Sequence, residues 1–375
     1  MNPYADIIPM SLRALHFVMP GAVDDPTVPS GGNVYDARVS LDLPGFGWQV
    51  HKHAIDGSWP QPAAPARDEL ARTLAALDDG TPVLLDGIVA CAAPEIVIPE
   101  AGRLRLVVLV HLPLGDEVGL TPELAADLDA RERHALRAVP AVVATSEWAA
   151  RRLVAHHGLA PDRVHVAPPG ADIAPLAPGT DGVSRLLCVA SVTPRKGQHR
   201  LVEALAEVTD LPWSCVLVGG LNQDPGYVAE LRDLIARHGL GDRVELAGPR
   251  SGAALDASYA SADLMVLTSY AETYGMAVTE ALARGIPVLA TDVGGLPEAV
   301  GRAPDGGVPG LLVPPENPAA LAAELRGWFG EADVRRRLKA AARARRASLG
   351  GWAATARSLS GVLGRLKSEA RRGAA

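Results

Sequence analysis

Short apolar runs alternating with stretches of helical spacing constrain this chain more than any other feature. Runs at 12–18, 82–85, 105–110 and 141–145 form a first series; a second occupies 186–190, 213–218, 243–246, 262–268 and 286–290. Runs this short and this apolar read as strands buried on both faces, the pattern of a parallel sheet covered by helices. Helical patterns at 68–77, 122–137, 198–208, 319–329 and 333–349 supply those covers. The expected architecture is α/β: two doubly wound parallel-sheet domains, at 1–175 and 184–349, followed by a helical segment at 350–375. The Pro-, Gly- and Ala-rich stretch 168–184 is the expected link. In such sheets ligands bind beyond the carboxyl ends of the strands, which places Asp86 and His111 on the functional edge.

A length of 375 residues suits two cores of this kind. The net charge of −7 argues against general nucleic-acid binding, and no basic groove with interleaved aromatics is visible. Cys91, Cys188 and Cys215 sit in or beside apolar runs without paired spacing, so buried thiols of a reducing compartment are expected rather than disulfides or metal ligands. With no signal-type leader and no run of membrane-spanning length, a cytoplasmic location is expected.

The chemistry concentrates in 269–284, between two strand candidates. A turn at Tyr274-Gly275 opens a helix, leaving Glu272 in the loop and Glu280 about one and a half turns in. Free amides at a helix start favour an anion, and carboxylates beside an anion suit sugar or ribose hydroxyls; the pairing suggests a phosphorylated sugar. Alternatively, Glu280 forms a surface ion pair with Arg284 and Glu272 is an ordinary loop carboxylate. Arg195-Lys196, at another strand-to-helix turn, can neutralise a diphosphate or merely decorate a loop. Gly31-Gly32 opens a helix where a phosphate or sugar could approach the backbone, or only forms a turn. His111 is either a site residue or a hydrogen-bonded structural one. The loops at Gly219-Gly220, Gly248-Pro249-Arg250 and Gly294-Gly295 are further edges where a nucleotide could lie, or turns.

Taken in order, Arg195-Lys196-Gly197, Glu272 with Glu280 eight positions on, and Gly294-Gly295-Leu296-Pro297-Glu298 running into Gly310-Leu311-Leu312-Val313-Pro314-Pro315 resemble the retaining nucleotide-sugar glycosyltransferases of family 4. The first half is similar more loosely, through Gly31-Gly32 and His111. The resemblance implies the GT-B fold, two Rossmann-like domains facing a central cleft, with the helix from Trp352 crossing back onto the first domain. It also implies that Arg195 and Lys196 hold the donor diphosphate, with Gly31, Gly32 and the amides of Tyr274, Gly275 and Met276 nearby. Glu272 would bind the donor sugar, Glu280 the ribose, and Gly219 and Arg250 would lie near the base, with His111 at the reaction centre. Thr273-Tyr274 stands where the family often has Pro-Phe, which keeps an aromatic.

Departure of a nucleoside diphosphate builds charge on phosphate oxygens, and fixed cations aimed at them lower that barrier. Because Arg195 and Lys196 supply positive charge, no metal and no cofactor is expected; Asp127-Leu128-Asp129 reads as solvated helix surface. The resemblance, not the spacing, implies retention of configuration. The expected partners are a UDP- or GDP-linked sugar donor and a hydroxyl acceptor that is a lipid, a natural product or a saccharide. Basic patches at 131–137 and 151–152 permit peripheral membrane contact without requiring it. The competing functions are a sugar-nucleotide epimerase of the same fold and a non-catalytic sugar-nucleotide sensor.

Overall fold

The computed structural model describes residues 12–24, 30–117 and 119–372. Residues 1–11 of the first expected domain and 373–375 of the last segment therefore fall outside the described residues, as do 25–29 and 118.

Two six-stranded sheets organise the chain. The first comprises β1 (Arg13–Pro20), β2 (Trp48–Ile55), β3 (Pro82–Asp86), β4 (Arg105–Val110), β5 (Ala141–Ala144) and β6 (Val164–Val166), in the order β2-β1-β3-β4-β5-β6. The second comprises β7 (Arg185–Val189), β8 (Ser214–Val218), β9 (Val244–Gly248), β10 (Leu264–Leu267), β11 (Val288–Thr291) and β12 (Gly310–Val313), in the order β12-β11-β10-β7-β8-β9. Every pairing is parallel. The two faces of the first sheet carry separate apolar clusters, one around Val83, Leu85 and Val108, the other around Leu15, Phe17 and Leu84.

The order reverses between β1 and β3 in one sheet and between β7 and β10 in the other. At such a reversal the flanking crossovers run to opposite faces and leave a crevice at the strand carboxyl ends, where a ligand fits. The loops after β7 and β10 carry Arg195-Lys196 and Glu272.

The helix Trp352–Arg372 returns to the first domain. Trp352, Ala356, Leu359, Val362 and Leu363, on one stripe, join the cluster of Leu15 and Phe17, and the Trp48 indole donates to Ser360 Oγ at 3.0 Å. Burial of each large apolar side chain here contributes about 1.5–3 kcal/mol. Beside it runs the other interdomain strand of chain: Ala171 N donates to Gly350 O at 2.8 Å, and a Cβ on Gly170 would lie 2.2 Å from Trp352 N. Glycine is what lets the two crossings touch.

Candidate functional site

The loop after β7 folds as a single 3-10 turn, Pro194–Lys196, closed by Gly197 at φ +64°. A Cβ there would sit 2.2 Å from Thr268 O, so glycine allows this loop to lie against the end of β10. Tyr270 N donates to Arg195 O at 2.8 Å, and Thr268 Oγ1 donates to Gly197 O at 2.9 Å. Zipped together, the loops bring Lys196 Nζ to 2.5 Å from Glu272 Oε1, which also accepts from Ser269 Oγ at 2.8 Å. Arg195 donates to Ala271 O at 2.9 Å. Burial would raise the Glu272 carboxyl, but Lys196 and Arg195 outweigh it and hold it below its ordinary value. It is therefore ionised at neutral pH, an acceptor-only group suited to hydroxyls.

Gly294 and Gly295 serve this same loop rather than forming a separate edge. Cβ atoms on them would lie 1.9 Å from Glu272 O and 2.2 Å from Thr273 O, and Gly295 N donates to Glu272 O at 2.8 Å. Beyond the loop, Gly275 at φ +102° starts the helix Met276–Ala283 with no side-chain cap. Val278 N turns back to Gly275 O at 3.0 Å, which leaves the amides of Met276 and Ala277 for an anion.

The first domain faces this loop directly. Thr273 Oγ1 donates to His111 O at 2.6 Å, and Ser146 Oγ donates to Thr273 O at 2.5 Å while accepting from Ala149 N at 2.9 Å. Glu298 caps the helix Glu147–His157 from the second domain, accepting from Glu147 N at 2.9 Å and Trp148 N at 2.6 Å. A Cβ on Gly32 would lie 3.2 Å from the His111 ring, and one on Gly31 would lie 3.4 Å from Met276 Sδ. The glycine pair, His111, Met276 and the Glu272 loop therefore share one interdomain cleft.

The remaining expected residues lie outside the Lys196–Glu272 pair. Glu280 accepts the Tyr259 hydroxyl at 2.7 Å. The side-chain ion pair with Arg284 weighed as an alternative is not what forms: Arg284 donates to the Glu280 carbonyl at 3.0 Å and to Asp256 at 2.5 Å. Burial raises the Glu280 carboxyl above its usual range. Gly219 is packed so closely that a Cβ would lie 1.9 Å from Ala190 O. Arg250 is tied to Ser258 at 2.9 Å and Glu245 at 3.1 Å.

Three site groups escaped the reading of the sequence. Asp36, fully buried, accepts from or donates to His111 Nε2 at 2.8 Å. Ser146 bridges the domains. Glu117, pushed up to about 7 by burial, is electrostatically coupled to Arg195 across the cleft. Asp36 was detectable only as a charge on the apolar face of its helix, five residues after Gly31. Among the described residues, two groups bring acidic and histidine donor atoms within 4.8 Å of one another: Asp129–His156–His157 and Asp36–Asp86–His111. In the first, on outer helices, Asp129 is taken up by Arg133 at 2.9 Å and His156 at 2.5 Å. The three cysteines are buried and unpaired.

Two Rossmann-like sheets whose crevices meet across a shared cleft define the GT-B class, and solved structures carry the same arrangement. Sucrose-phosphate synthase from Thermosynechococcus elongatus superposes with a TM-score of 0.77 at 22% identity, covering 95% of this chain and all of that one. HepE from Anabaena, in complex with UDP-glucose, superposes with a TM-score of 0.74 at 20% identity over 95% of this chain and 99% of its own. Residues 180–345 match the family of glycosyl transferases group 1 and residues 82–174 match glycosyltransferase family 4. The chain belongs to glycosyltransferase family 4. Among curated relatives, a D-inositol 3-phosphate glycosyltransferase of Kineococcus radiotolerans is 35% identical over 248 residues, covering 60% of this chain and 57% of that protein. Its counterpart in Corynebacterium efficiens is 35% identical over 56% of this chain and 53% of its own length. The match thus spans little more than half of these relatives. No helix among the described residues is long and apolar enough to cross a membrane.

Proposed function

We propose that this chain transfers a hexosyl group from a UDP- or GDP-linked sugar to a hydroxyl acceptor, with retention of configuration and without a divalent cation. The observation that carries the reading is the Lys196–Glu272 pair, 2.5 Å apart at the strand-order reversal of the second sheet and opposite His111. Lys196 and Arg195 meet the charge that develops on the departing diphosphate, and the uncapped helix at Met276 adds amide dipoles. Glu272, ionised, accepts from the sugar's hydroxyls and fixes its anomeric carbon beneath His111. Glu280 serves the ribose, and the backbone near Gly219 and Arg250 the base. The diphosphate oxygen takes the acceptor's proton on the face it leaves, so no protein carboxylate need bond to the sugar.

UDP-glucose in the HepE complex makes that donor the first to try, and the relatives' name makes a cyclitol phosphate the first acceptor. Lipids, natural-product aglycones and saccharides follow, and a cytoplasmic site of action fits such donors. The test is product formation from UDP-, GDP- and ADP-sugars, with and without EDTA, and anomeric configuration read by NMR. Transfer that survives EDTA and keeps the donor's configuration is expected. Inverted product, or abolition by EDTA restored by a divalent cation, would overturn the corresponding part. A nucleotide sugar interconverted with no acceptor present would instead establish an epimerase, and tight donor binding with no turnover a sensor.

A further inference from the structure

Behind His111 lies a feature that transfer of a sugar does not by itself require: two carboxyl groups in the protein interior, an oxygen of each within 4.8 Å of the other. Asp36, on the helix Gly31–Asp42, is 0% exposed and Asp86, at the end of β3, is 5% exposed. Those same oxygens lie within 4.8 Å of a His111 ring nitrogen. Asp86 Oδ1 accepts from Ile88 N at 2.9 Å, which favours its ionised form, whereas Asp36 Oδ2 is buried with no other partner. Asp36 Oδ1 meets His111 Nε2 at 2.8 Å. Two adjacent buried carboxylates repel strongly, and a retained proton relieves that repulsion while satisfying the orphaned oxygen.

We infer that Asp36 and Asp86 share one proton and that this pair positions His111, pinning its Nε2–H and leaving Nδ1 in the cleft to accept from a hydroxyl of the reacting molecules. This rests on the glycosyl-transfer reading. Burial pushes Asp36 up to about 8; burial and then the charge of Asp36 push Asp86 up to about 7. The protons belong to the pair rather than to either residue. Burial also lowers the His111 imidazole, so it stays neutral and one nitrogen remains an acceptor. The other titratable groups coupled to the pair are Tyr35 on the same helix, Lys52 on β2, Cys91 on the helix Gly87–Ala92, and Glu117.

Two measurements on the full chain test this. Infrared difference spectroscopy of the free protein across pH should show a buried protonated carboxyl at neutral pH that titrates between about 7 and 8, shifts in Asp86→Asn and vanishes when both aspartates are replaced by asparagine, while nitrogen-15 NMR shows His111 as the Nε2–H tautomer in the wild type and a mixture of tautomers in Asp36→Ala. With an active donor–acceptor pair, kcat should decline on the alkaline side as the shared proton is lost. Asp86→Asn should raise the ratio of rates at pH 9 and pH 7 about threefold or more, and Asp36→Ala should lower kcat about 10- to 100-fold with KM within about threefold. Absence of the protonated carboxyl, an Nδ1–H tautomer, or an alkaline decline unchanged in Asp86→Asn would overturn the inference. If no donor turns over, the spectroscopy still decides it, so its failure and that of the transferase reading are separable.

Discussion

At the scale of single residues, the site is a small number of charges whose protonation is set by burial. Glu272 is held below its ordinary value of 4.5, so the stability it contributes with Lys196 is present above that value and lost as the pH falls through the depressed one. Glu272→Gln should therefore lower the melting temperature at neutral pH and flatten its decline toward acid, so that variant and wild type converge in thermal melts as the pH falls from 6 to 3. Lys196→Ala should lower kcat/KM for the donor about 10- to 1000-fold, about 1.4 kcal/mol per decade, without changing the fold by circular dichroism. Asp36 works with the opposite sign: a raised carboxyl favours the folded state below its unfolded value and loses that advantage as the pH rises toward about 8. The roles weighed for Arg195-Lys196 and Glu272 rested on charge type at a strand-end loop, which sequence displays openly. Asp36 was not legible in this way, because only the packing of its helix against β3 and the loop after β4 removes it from water.

At the scale of elements, glycines and a terminal helix decide the geometry. Gly294, at φ +58°, has its Cβ direction filled by Glu272 O at 1.9 Å. Gly294→Ala should displace the Glu272 loop, lowering stability by about 1–3 kcal/mol and weakening donor binding at least tenfold by calorimetry. Leu359, fully buried between the terminal helix and the first sheet, should lose about 2–5 kcal/mol in Leu359→Ala, seen in denaturant unfolding. Strands buried on both faces were readable: the apolar run 105–110 is β4 to the residue, and 213–218 and 262–268 enclose β8 and β10. β2 was missed because four of its eight residues, Gln49, His51, Lys52 and His53, are polar, as suits an edge strand exposed to water. β6, three residues long on the other edge, has too little sequence to show a period.

At the scale of the molecule, polar contacts dominate the closure of the cleft. Glu298 accepting two amides of the helix Glu147–His157, Ser146 bonded to Thr273, and Thr273 bonded to His111 are among the contacts across it, with Met276 packed against the first domain. Interfaces of this kind permit domain motion. Glu298→Ala should leave both domains folded, raise the radius of gyration in solution scattering, and lower kcat/KM for the acceptor about 3- to 30-fold, since donor and acceptor would sit on opposite sides of a looser hinge.

The sequence by itself determined the two parallel sheets and the loops that carry chemistry, because apolar burial on both faces and a charge at a strand end are local properties of the chain. Only the tertiary structure decided which carboxyls ionise, which glycines serve a neighbouring loop, and that Ser146, Glu298 and Asp36 belong to one cleft. Those are consequences of contacts between residues tens to hundreds of positions apart, and a linear pattern carries no record of such distances.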